Sequence, residues 1–218
     1  DFASNPKARP ARMVGMRNGA ARYSTPLDVN RPRGARLLEG YSPKLGRRIP
    51  LFNRAKFDQW LRLEADPTVQ QLCERPIRLE DSPDARVIDF WVRRADGERL
   101  LLVGDVDGKS LPATVADISI QHVGLTELAA AAQWSANWQR MLPTIVATQA
   151  WRARAFCRTV QAYASEPMAL SRLERVFSTG DPPVARGVVF ELLRTGRLGA
   201  PSLHSQPLSL MTLFGPPP

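Results

Sequence analysis

The feature of the sequence that most constrains the fold is a pair of apolar runs on either side of Ala95-Asp96-Gly97. The first run, ARVIDFWVRR, and the second, ERLLLVGDV, are rich in branched, aromatic and aliphatic residues. A short Asp-Gly connection between two such runs is typical of a β-hairpin. The chain is therefore expected to build a sheet around this hairpin.

Helical patterns flank the hairpin. The segment FNRAKFDQWLRLEADP predicts a helix that Asn53 can cap and that Asp66-Pro67 ends. Its apolar residues, such as Phe57 and Trp60, fall on one face. A second helix, LTELAAAAQWSANWQRML, is predicted to end at Pro143. Short strands are predicted for residues 69–73, residues 76–80 and the run ADISIQHV. This mixture of helices with a small sheet predicts the α/β class.

The C-terminal segment has its own pattern. Apolar residues at helical spacing predict helices over 170–177 and 184–192, separated by Gly180, Asp181 and Pro182, which can end one helix and begin the next. Residues 197–203 and 208–214 then predict two strands. A helix, a short turn, a second helix and a β-hairpin form the pattern of a winged-helix domain.

Arginines on that segment suggest DNA contact. In the winged-helix interpretation, Arg186 and Arg194 lie on the outer side of the second helix and Arg197 opens the wing. This is the placement expected of a helix that meets a major groove. Many winged helices bind proteins instead, so the pattern leaves both kinds of partner open.

Charge is distributed unevenly along the chain, whose formal net charge is +9. Residues 1–50 carry 11 Lys/Arg against 3 Asp/Glu, residues 51–149 carry 11 against 14, and residues 150–218 carry 8 against 4. Two basic segments therefore flank an acidic one. Basic segments attract polyanions, of which nucleic acid is the commonest, although an arginine-rich solvated surface would give the same composition. Residues 1–40, interrupted by prolines, predict an extended basic arm.

Several classes of protein and site are disfavoured. No run is long and apolar enough to span a membrane, and no secretory signal pattern is visible, so a cytoplasmic protein is expected. Cys73 and Cys157 fit neither a disulfide framework nor a zinc spacing, which predicts reduced, buried thiols. His122 and His204 are far apart and are interpreted as structural.

The run LLLVGDVDGKS, residues 100–110, brings acidic residues and a lysine to the end of a strand. A phosphate loop needs four residues between its first glycine and its Gly-Lys pair, but only three separate Gly104 from Gly108. A calcium loop would need further acidic ligands. A simple β-turn, a metal-dependent nuclease site and the remnant of such a site stay open. Asp89 lies in the adjacent strand, and it and Asp105 would repel each other unless a cation shared them.

A family resemblance appears in GYSPKLGRRIPLFNRAKFDQWLRLEADPTVQQLCERPIRLE. The phrases KLGR, LEADPTV and the Arg-Pro pair occur in the order that they have in the TnsA-type transposon endonuclease domain, and VIDFWV resembles the family's PDF-x-V strand. The chain resembles that family over roughly residues 40–215. The resemblance implies a restriction-endonuclease-like mixed sheet with flanking helices over 41–148, a linker helix over 149–164 and a winged-helix domain over 165–218.

The resemblance also implies a chemistry and a set of partners. Such subunits cut the 5′ strands at transposon ends, beside an integrase-like transposase and an ATPase regulator. They hold Mg²⁺ with an Asp on one strand and an acid on the next strand. A Lys two residues after that acid orients the attacking water, and a Glu on the first helix completes the catalytic site. The bound cation lowers the pKa of the attacking water.

The sequence departs from that pattern at three positions. Asp89 matches the family's Asp, but Lys56 stands where the helix Glu would be, and Gly104-Asp105-Val106 replace Glu-x-Lys. A bulge at Gly104 could turn Asp105 and Asp107 inward, with Lys109 beyond them. Glu64, two turns after Lys56, could replace the missing Glu.

These observations lead to one main hypothesis. The chain is expected to be a DNA-binding subunit of a TnsA-like transposition complex, with a degenerate nuclease-like domain that serves as a scaffold for the transposase and the regulator, in a bacterial, nucleoid-associated setting. The alternatives are an active Mg²⁺- or Mn²⁺-dependent endonuclease and a protein-interaction module. The candidate catalytic residues are Asp89, Asp105, Glu64 and Lys109, of which Asp89 and Asp105 are the metal ligands. The candidate DNA-binding residues are Arg31, Arg33, Arg36, Lys44, Arg47, Arg48, Arg186, Arg194 and Arg197.

Overall fold

The computed structural model describes residues 20–105, 111–178 and 181–217. Within these ranges the chain forms strands, α-helices and two short 3-10 helices. The strands are β1 (Leu38–Ser42), β2 (Arg47–Leu51), β3 (Gln71–Glu74), β4 (Phe90–Arg94), β5 (Gly97–Val103), β6 (Thr114–Val115), β7 (Ile118–Val123), β8 (Met168–Ala169) and β9 (Leu213–Phe214). The α-helices are α1 (Arg54–Ala65), α2 (Leu125–Ala130), α3 (Ala132–Ala147), α4 (Arg154–Tyr163), α5 (Leu170–Phe177) and α6 (Pro182–Arg194). The 3-10 helices are Gln149–Trp151 and Pro201–His204.

A mixed five-stranded sheet organises the larger part of the molecule. Its strand order is β3-β4-β5-β7-β6, with β5 and β7 parallel and the other neighbours antiparallel. The predicted hairpin is confirmed, since β4 pairs with β5 from Phe90↔Leu101 to Arg94↔Gly97. Gly97 turns the chain at a φ of +130°, which a side chain would disfavour. The α/β class and the flanking helices are as predicted.

The two faces of this sheet are covered differently. One face packs against the helices, in a core that includes Phe90, Val92 and Leu101. The other face, which includes Trp91 and Leu100, is covered by extended chain rather than by a helix. Part of that cover comes from the segment predicted as an extended basic arm. Ala21 and Tyr23 pack on this face, and the Tyr23 ring meets the Trp91 ring edge-on with centroids 5.7 Å apart.

The first helix begins and ends where the sequence predicted. Asn53 caps α1, because its side-chain oxygen accepts a hydrogen bond of 2.9 Å from the backbone N–H of Lys56. Asp66 follows the last helical residue in an extended conformation. Phe57 and Trp60 are buried on the face that packs into the core.

The second predicted helix continues further than expected, and it is interrupted at Ala131 rather than ended at Pro143. The chain breaks at Ala131 into α2 and α3, and α3 continues through Pro143 to Ala147, so the prediction that Pro143 ends it is wrong. Pro143 is itself exposed, whereas Leu142 and Ile145 on either side of it are buried. Packing of these neighbours holds the helix through a residue that lacks the N–H for one internal hydrogen bond.

The predicted pair of C-terminal strands, 197–203 and 208–214, is wrong. Residues 201–204 form a 3-10 helix, and β9 is a two-residue strand that pairs with β8 rather than with 197–203. One further bridge joins Gly199 to Gly215.

A buried side chain explains the missing strand pairing. The Asn137 amide donates 2.8 Å hydrogen bonds to the carbonyl oxygens of Leu203 and Gln206, and its oxygen accepts one from the N–H of Leu208. These backbone groups, which pairing of the two predicted strands would need, are therefore bonded to a side chain of α3 instead.

A single hydrophobic core joins the N-terminal and C-terminal parts. It extends from Ile49 to Phe214 without interruption, and α6 packs against α3, α4 and α5. The contact with the end of α3 is close, since a Cβ on Gly187 would lie 2.0 Å from the Thr148 hydroxyl oxygen. No helix in the described ranges combines the length and the apolarity that crossing a bilayer requires.

Candidate functional site

Asp89 lies directly before β4 and is only 4% exposed. Its backbone N–H donates to the carbonyl oxygen of Leu101 at 3.0 Å, and its side-chain Oδ2 accepts a 2.7 Å hydrogen bond from the N–H of Val103. The carboxylate thus takes the place of one ladder partner at the end of the β4–β5 pairing. Burial of this charge requires a cation as well as a donor.

Lys56 supplies that cation. It lies in the first turn of α1, and its Nζ is 2.6 Å from Asp89 Oδ1. With Val103 at Oδ2, both oxygens of the carboxylate are engaged by donors of the chain itself. The position at which the family resemblance implies a metal-binding glutamate therefore holds an ammonium group that neutralises Asp89 directly.

The end of β5 turns away from this pair. Gly104 has a φ of +90° and continues the pairing with β7 through its N–H to the carbonyl of Val123. Asp105 is exposed, and its carbonyl oxygen accepts a long hydrogen bond of 3.5 Å from Arg86. The conformation at Gly104 thus does not turn Asp105 into the protein.

The described residues do not fit a divalent cation at Asp89. Both oxygens of that carboxylate already have donors, and no group of three or more His, Cys, Asp or Glu residues within 20–105, 111–178 and 181–217 stands close enough to hold a metal ion. Divalent cations of this class need several oxygen ligands. Asp107 and Lys109, the other candidates of the loop, lie outside the described residues.

Glu64 belongs to a different cluster. It is fully buried, and its carboxylate accepts hydrogen bonds from Ser42 Oγ at 2.6 Å and from the Lys44 N–H at 2.9 Å. Arg194 from α6 approaches it to 3.7 Å. Burial raises the pKa of Glu64, while Ser42, Lys44 and Arg194 act against that rise. Since every neighbour presents a donor, the geometry is that of an ionised carboxylate with a structural role.

Lys44 closes the other end of α1. Its Nζ donates to the carbonyl oxygens of Leu63, Asp66 and Val69. Leu63 lies in the last turn of α1 and Asp66 is its C-cap, where carbonyl groups lack partners within the helix. Burial lowers the pKa of Lys44 to about 8. Lys44 of KLGR is therefore bonded to backbone groups of LEADPTV, and its ammonium group already has three acceptors within the fold.

The neighbouring arginines of KLGRR differ from each other. Arg47 makes a two-pronged ion pair with the buried Glu74, with both N–O distances 2.6 Å, and this bonding raises the pKa of Arg47. Arg48 is exposed. Arg31, Arg33 and Arg36 are also exposed, so these four arginines of the candidate DNA-binding set are accessible.

Of the two arginines of α6 in the candidate DNA-binding set, Arg194 is not where the sequence predicted, whereas Arg186 keeps a partly exposed side chain. Arg194 pairs with Glu191 at 2.8 Å and with Glu64, and its side chain is 13% exposed, so the prediction that it lies on the outer side of the helix is wrong. Burial lowers the pKa of Arg194, but Glu191 and Glu64 outweigh that effect and raise it. Arg186 pairs with Glu174 at 2.5 Å.

The reason is that α6 is buried on several sides. It packs against α3, α4 and α5, and residues along most of its length are buried. Such a helix has little free surface to place in a groove. Arg197, beyond its end, is exposed and donates to the Thr195 hydroxyl at 3.2 Å.

Other arginines of the C-terminal part were missed by the sequence reasoning. Arg154 and Arg158 on α4 and Arg172 and Arg175 on α5 are exposed. Helical spacing could have found the α5 pair, since Arg172 and Arg175 lie on the side of the helix opposite the buried Leu170 and Leu173. On α4, Arg154 and Arg158 share one side of the helix, beside the buried Cys157 rather than opposite it.

No protein-family model and no curated protein matches the sequence.

The cysteines and histidines behave as structural groups. Cys73 and Cys157 are free and buried, as predicted, and burial raises the pKa of Cys73 to about 11. The His204 ring stacks on Trp134 with centroids 4.1 Å apart, and His122 contacts the carbonyl oxygen of Gly104.

Proposed function

We propose that the protein is a DNA-binding, catalytically degenerate nuclease-like subunit of a TnsA-like transposition complex. The observation that carries the proposal is the 2.6 Å contact between Lys56 Nζ and Asp89 Oδ1. Asp89 is the one acid that matches the family pattern in register, and an ammonium group of the chain neutralises it. Hydrolysis of a phosphodiester by this family's chemistry needs a cation that contacts the reacting phosphate, which a lysine already paired with Asp89 does not supply.

The order of the elements supports a restriction-endonuclease-like assignment. The helix α1, the LEADPTV run, β3, β4 and β5 follow one another as the resemblance implies. In the C-terminal part, the order α4-β8-α5-α6-β9, with β8 paired to β9 and Gly199 bridged to Gly215, supports a small winged-helix assignment. Its wing is much shorter than the sequence predicted.

In this proposal the folded body is a scaffold for an integrase-like transposase and an ATPase regulator, in a bacterial, nucleoid-associated setting. Double-stranded DNA is the other partner, bound through the basic surface. The net charge of +9 and the exposed arginines support that part of the proposal.

One experiment separates a scaffold from an active endonuclease. The protein is incubated with supercoiled plasmid and with end-labelled duplex in the presence of Mg²⁺ or Mn²⁺, and binding and strand cleavage are scored together. The expected result is salt-sensitive binding without cleavage, unchanged in Asp89→Asn. Cleavage that is lost in Asp89→Asn would overturn the proposal and establish an active endonuclease. Failure to bind DNA at any salt concentration would instead favour a protein-interaction module.

A second experiment tests the role of Lys56 directly. Lys56→Gln removes the cation beside a buried carboxylate and is expected to lower the free energy of unfolding by about 1–3 kcal/mol. Lys56→Glu should be less stable still, because two carboxylates then face each other. If the ammonium group of Lys56 occupies the place of the metal ion in a nuclease site, Mn²⁺ is expected to bind Lys56→Glu and to raise its melting temperature by several degrees. The melting temperatures of Lys56→Gln and of the wild type should not change. Equal responses of all three proteins would count against the nuclease ancestry.

A further inference from the structure

The C-terminal part, residues 150–218, carries eight arginines. They fall into two groups, those that pair with a glutamate and those that do not. Three arginines pair with buried or half-buried glutamates: Arg152 and Arg194 with Glu191, and Arg186 with Glu174. These pairs neutralise the surface around α6. The other five arginines form no ion pair among the described residues, and all five are exposed.

Four of these exposed arginines lie on two neighbouring helices. Arg154 and Arg158 are one turn apart on α4, and Arg172 and Arg175 are one turn apart on α5. The helices pack together through their inner sides, where the Phe177 ring of α5 contacts rings of α4. Their apolar sides are thus used by the core, and the arginines point to solvent. We call these four exposed residues the α4–α5 arginine face.

An exposed indole precedes α4. Trp151 lies three residues before Arg154 and is 65% exposed, whereas Trp60, Trp91 and Trp138 are at most 2% exposed. An exposed tryptophan beside arginines is common where proteins contact partners, because the indole combines a large apolar surface with one polar group.

We infer that the α4–α5 arginine face, together with Trp151, is the surface that contacts duplex DNA, in place of the outer side of α6. This inference rests on the proposed function. Arginine suits phosphate because its planar guanidinium makes paired hydrogen bonds to phosphate oxygens. An anionic membrane fits less well, because interfacial helices bury an apolar side in the lipid, and here those sides are buried in the protein. The exposed acids of this part, Glu166 and Asp181, leave a clear positive excess.

The test compares two matched variants with the wild type. One variant replaces Arg154, Arg158, Arg172 and Arg175 by Gln. The other replaces Arg31, Arg33, Arg36 and Arg48 by Gln, which removes the same charge from exposed arginines of the N-terminal part. Duplex binding is measured by fluorescence anisotropy over a series of salt concentrations, and far-UV circular dichroism checks that each variant is folded.

The α4–α5 variant is expected to bind duplex much more weakly at every salt concentration, with a slope of log affinity against log salt that is smaller by about three to four units. For the N-terminal variant, the decrease in that slope is expected to be less than half of the decrease seen for the α4–α5 variant. If the wild type binds and the α4–α5 variant binds equally well, this inference is overturned while the proposed function survives. If the wild type binds no DNA, the proposed function fails as well.

Trp151 gives a local readout that charge removal alone would not. Acrylamide quenching of the wild type is expected to fall when duplex is added, and this protection should disappear in Trp151→Phe, whose remaining tryptophans are better shielded. Protection that persists in Trp151→Phe would mean that DNA covers another surface. Arginine-dependent capture on phosphatidylserine vesicles, without duplex binding, would also overturn the inference in favour of a membrane surface.

Discussion

At the scale of single residues, several of the basic and acidic groups that look functional in the sequence are engaged within the fold. Lys44 donates to three carbonyl oxygens, Lys56 neutralises Asp89, and Glu64 accepts from Ser42 and Lys44. An unpaired charge in any of these places would cost several kcal/mol, about the margin by which a domain is stable. These charged groups therefore stabilise the fold.

Lys44 should give the stability a recognisable dependence on pH. Its pKa falls from 10.5 to about 8 on folding, mainly through burial, so the unfolded chain binds more protons than the folded one between those values. The free energy of unfolding contributed by this group therefore rises with pH across that window, by about 1 kcal/mol per pH unit near its middle. Urea denaturation at several pH values, for the wild type and for Lys44→Met, measures the difference.

The comparison must be made as a difference between the two proteins, because burial of Cys73 acts in the opposite direction. The raised pKa of that thiol makes stability fall as pH rises from 9 towards about 11. Equal pH slopes in the wild type and in Lys44→Met would contradict the prediction.

At the scale of elements, the fit of α6 against the end of α3 depends on one missing side chain. A Cβ at position 187 would lie 2.0 Å from Thr148 Oγ1 and 2.9 Å from Thr148 Cβ, so Gly187→Ala is expected to force the helices apart. The expected loss is about 1–3 kcal/mol, even though alanine is the better helix former. Thermal or chemical unfolding of the purified variant measures it.

A second substitution serves as the control. Thr148→Ala removes the hydroxyl that the new methyl group would meet, together with its 2.7 Å hydrogen bond to the carbonyl of Thr144. The double variant should therefore lose less stability than the sum of the two single variants. Strict additivity would mean that the close approach is relieved by some other movement.

At the scale of the whole molecule, the N-terminal and C-terminal parts are expected to unfold together. They share one core, and Arg194 of α6 reaches Glu64 of α1. Arg194→Met should therefore lower the denaturation midpoint reported by tryptophan fluorescence, although four of the five tryptophans precede residue 148. Circular dichroism should give the same midpoint. A transition at lower denaturant that leaves the fluorescence unchanged would show that the C-terminal part unfolds alone.

The sequence was most informative where structure depends on local signals. The β4–β5 hairpin, the start of α1 at Asn53 and the positions of α5 and α6 follow from turn residues, caps and apolar spacing. The failures all involve contacts between distant segments. Asn137 claims the backbone groups of residues 203–208, and packing carries α3 through Pro143.

The candidate site shows the same division. The family resemblance implied that Lys56 stands at the position of an acid and that Asp89 has no acidic partner in register. It could not show that the two side chains meet, nor that Arg186 and Arg194 would find glutamates on other helices. Helical periodicity assigns a residue to one side of a helix, but only the assembled core decides whether that side faces water.

The cover of the sheet by the segment around Tyr23 affects how the protein tolerates change in that segment. Exposed irregular segments usually accept insertions and deletions. Here, loss of the segment up to Leu27 would uncover Trp91 and its apolar neighbours and would break the hydrogen bond between the Leu27 N–H and the Arg75 carbonyl. A flat apolar sheet face invites association between molecules. Selection for solubility should therefore act on this segment as strictly as on the interior, whatever its arginines bind.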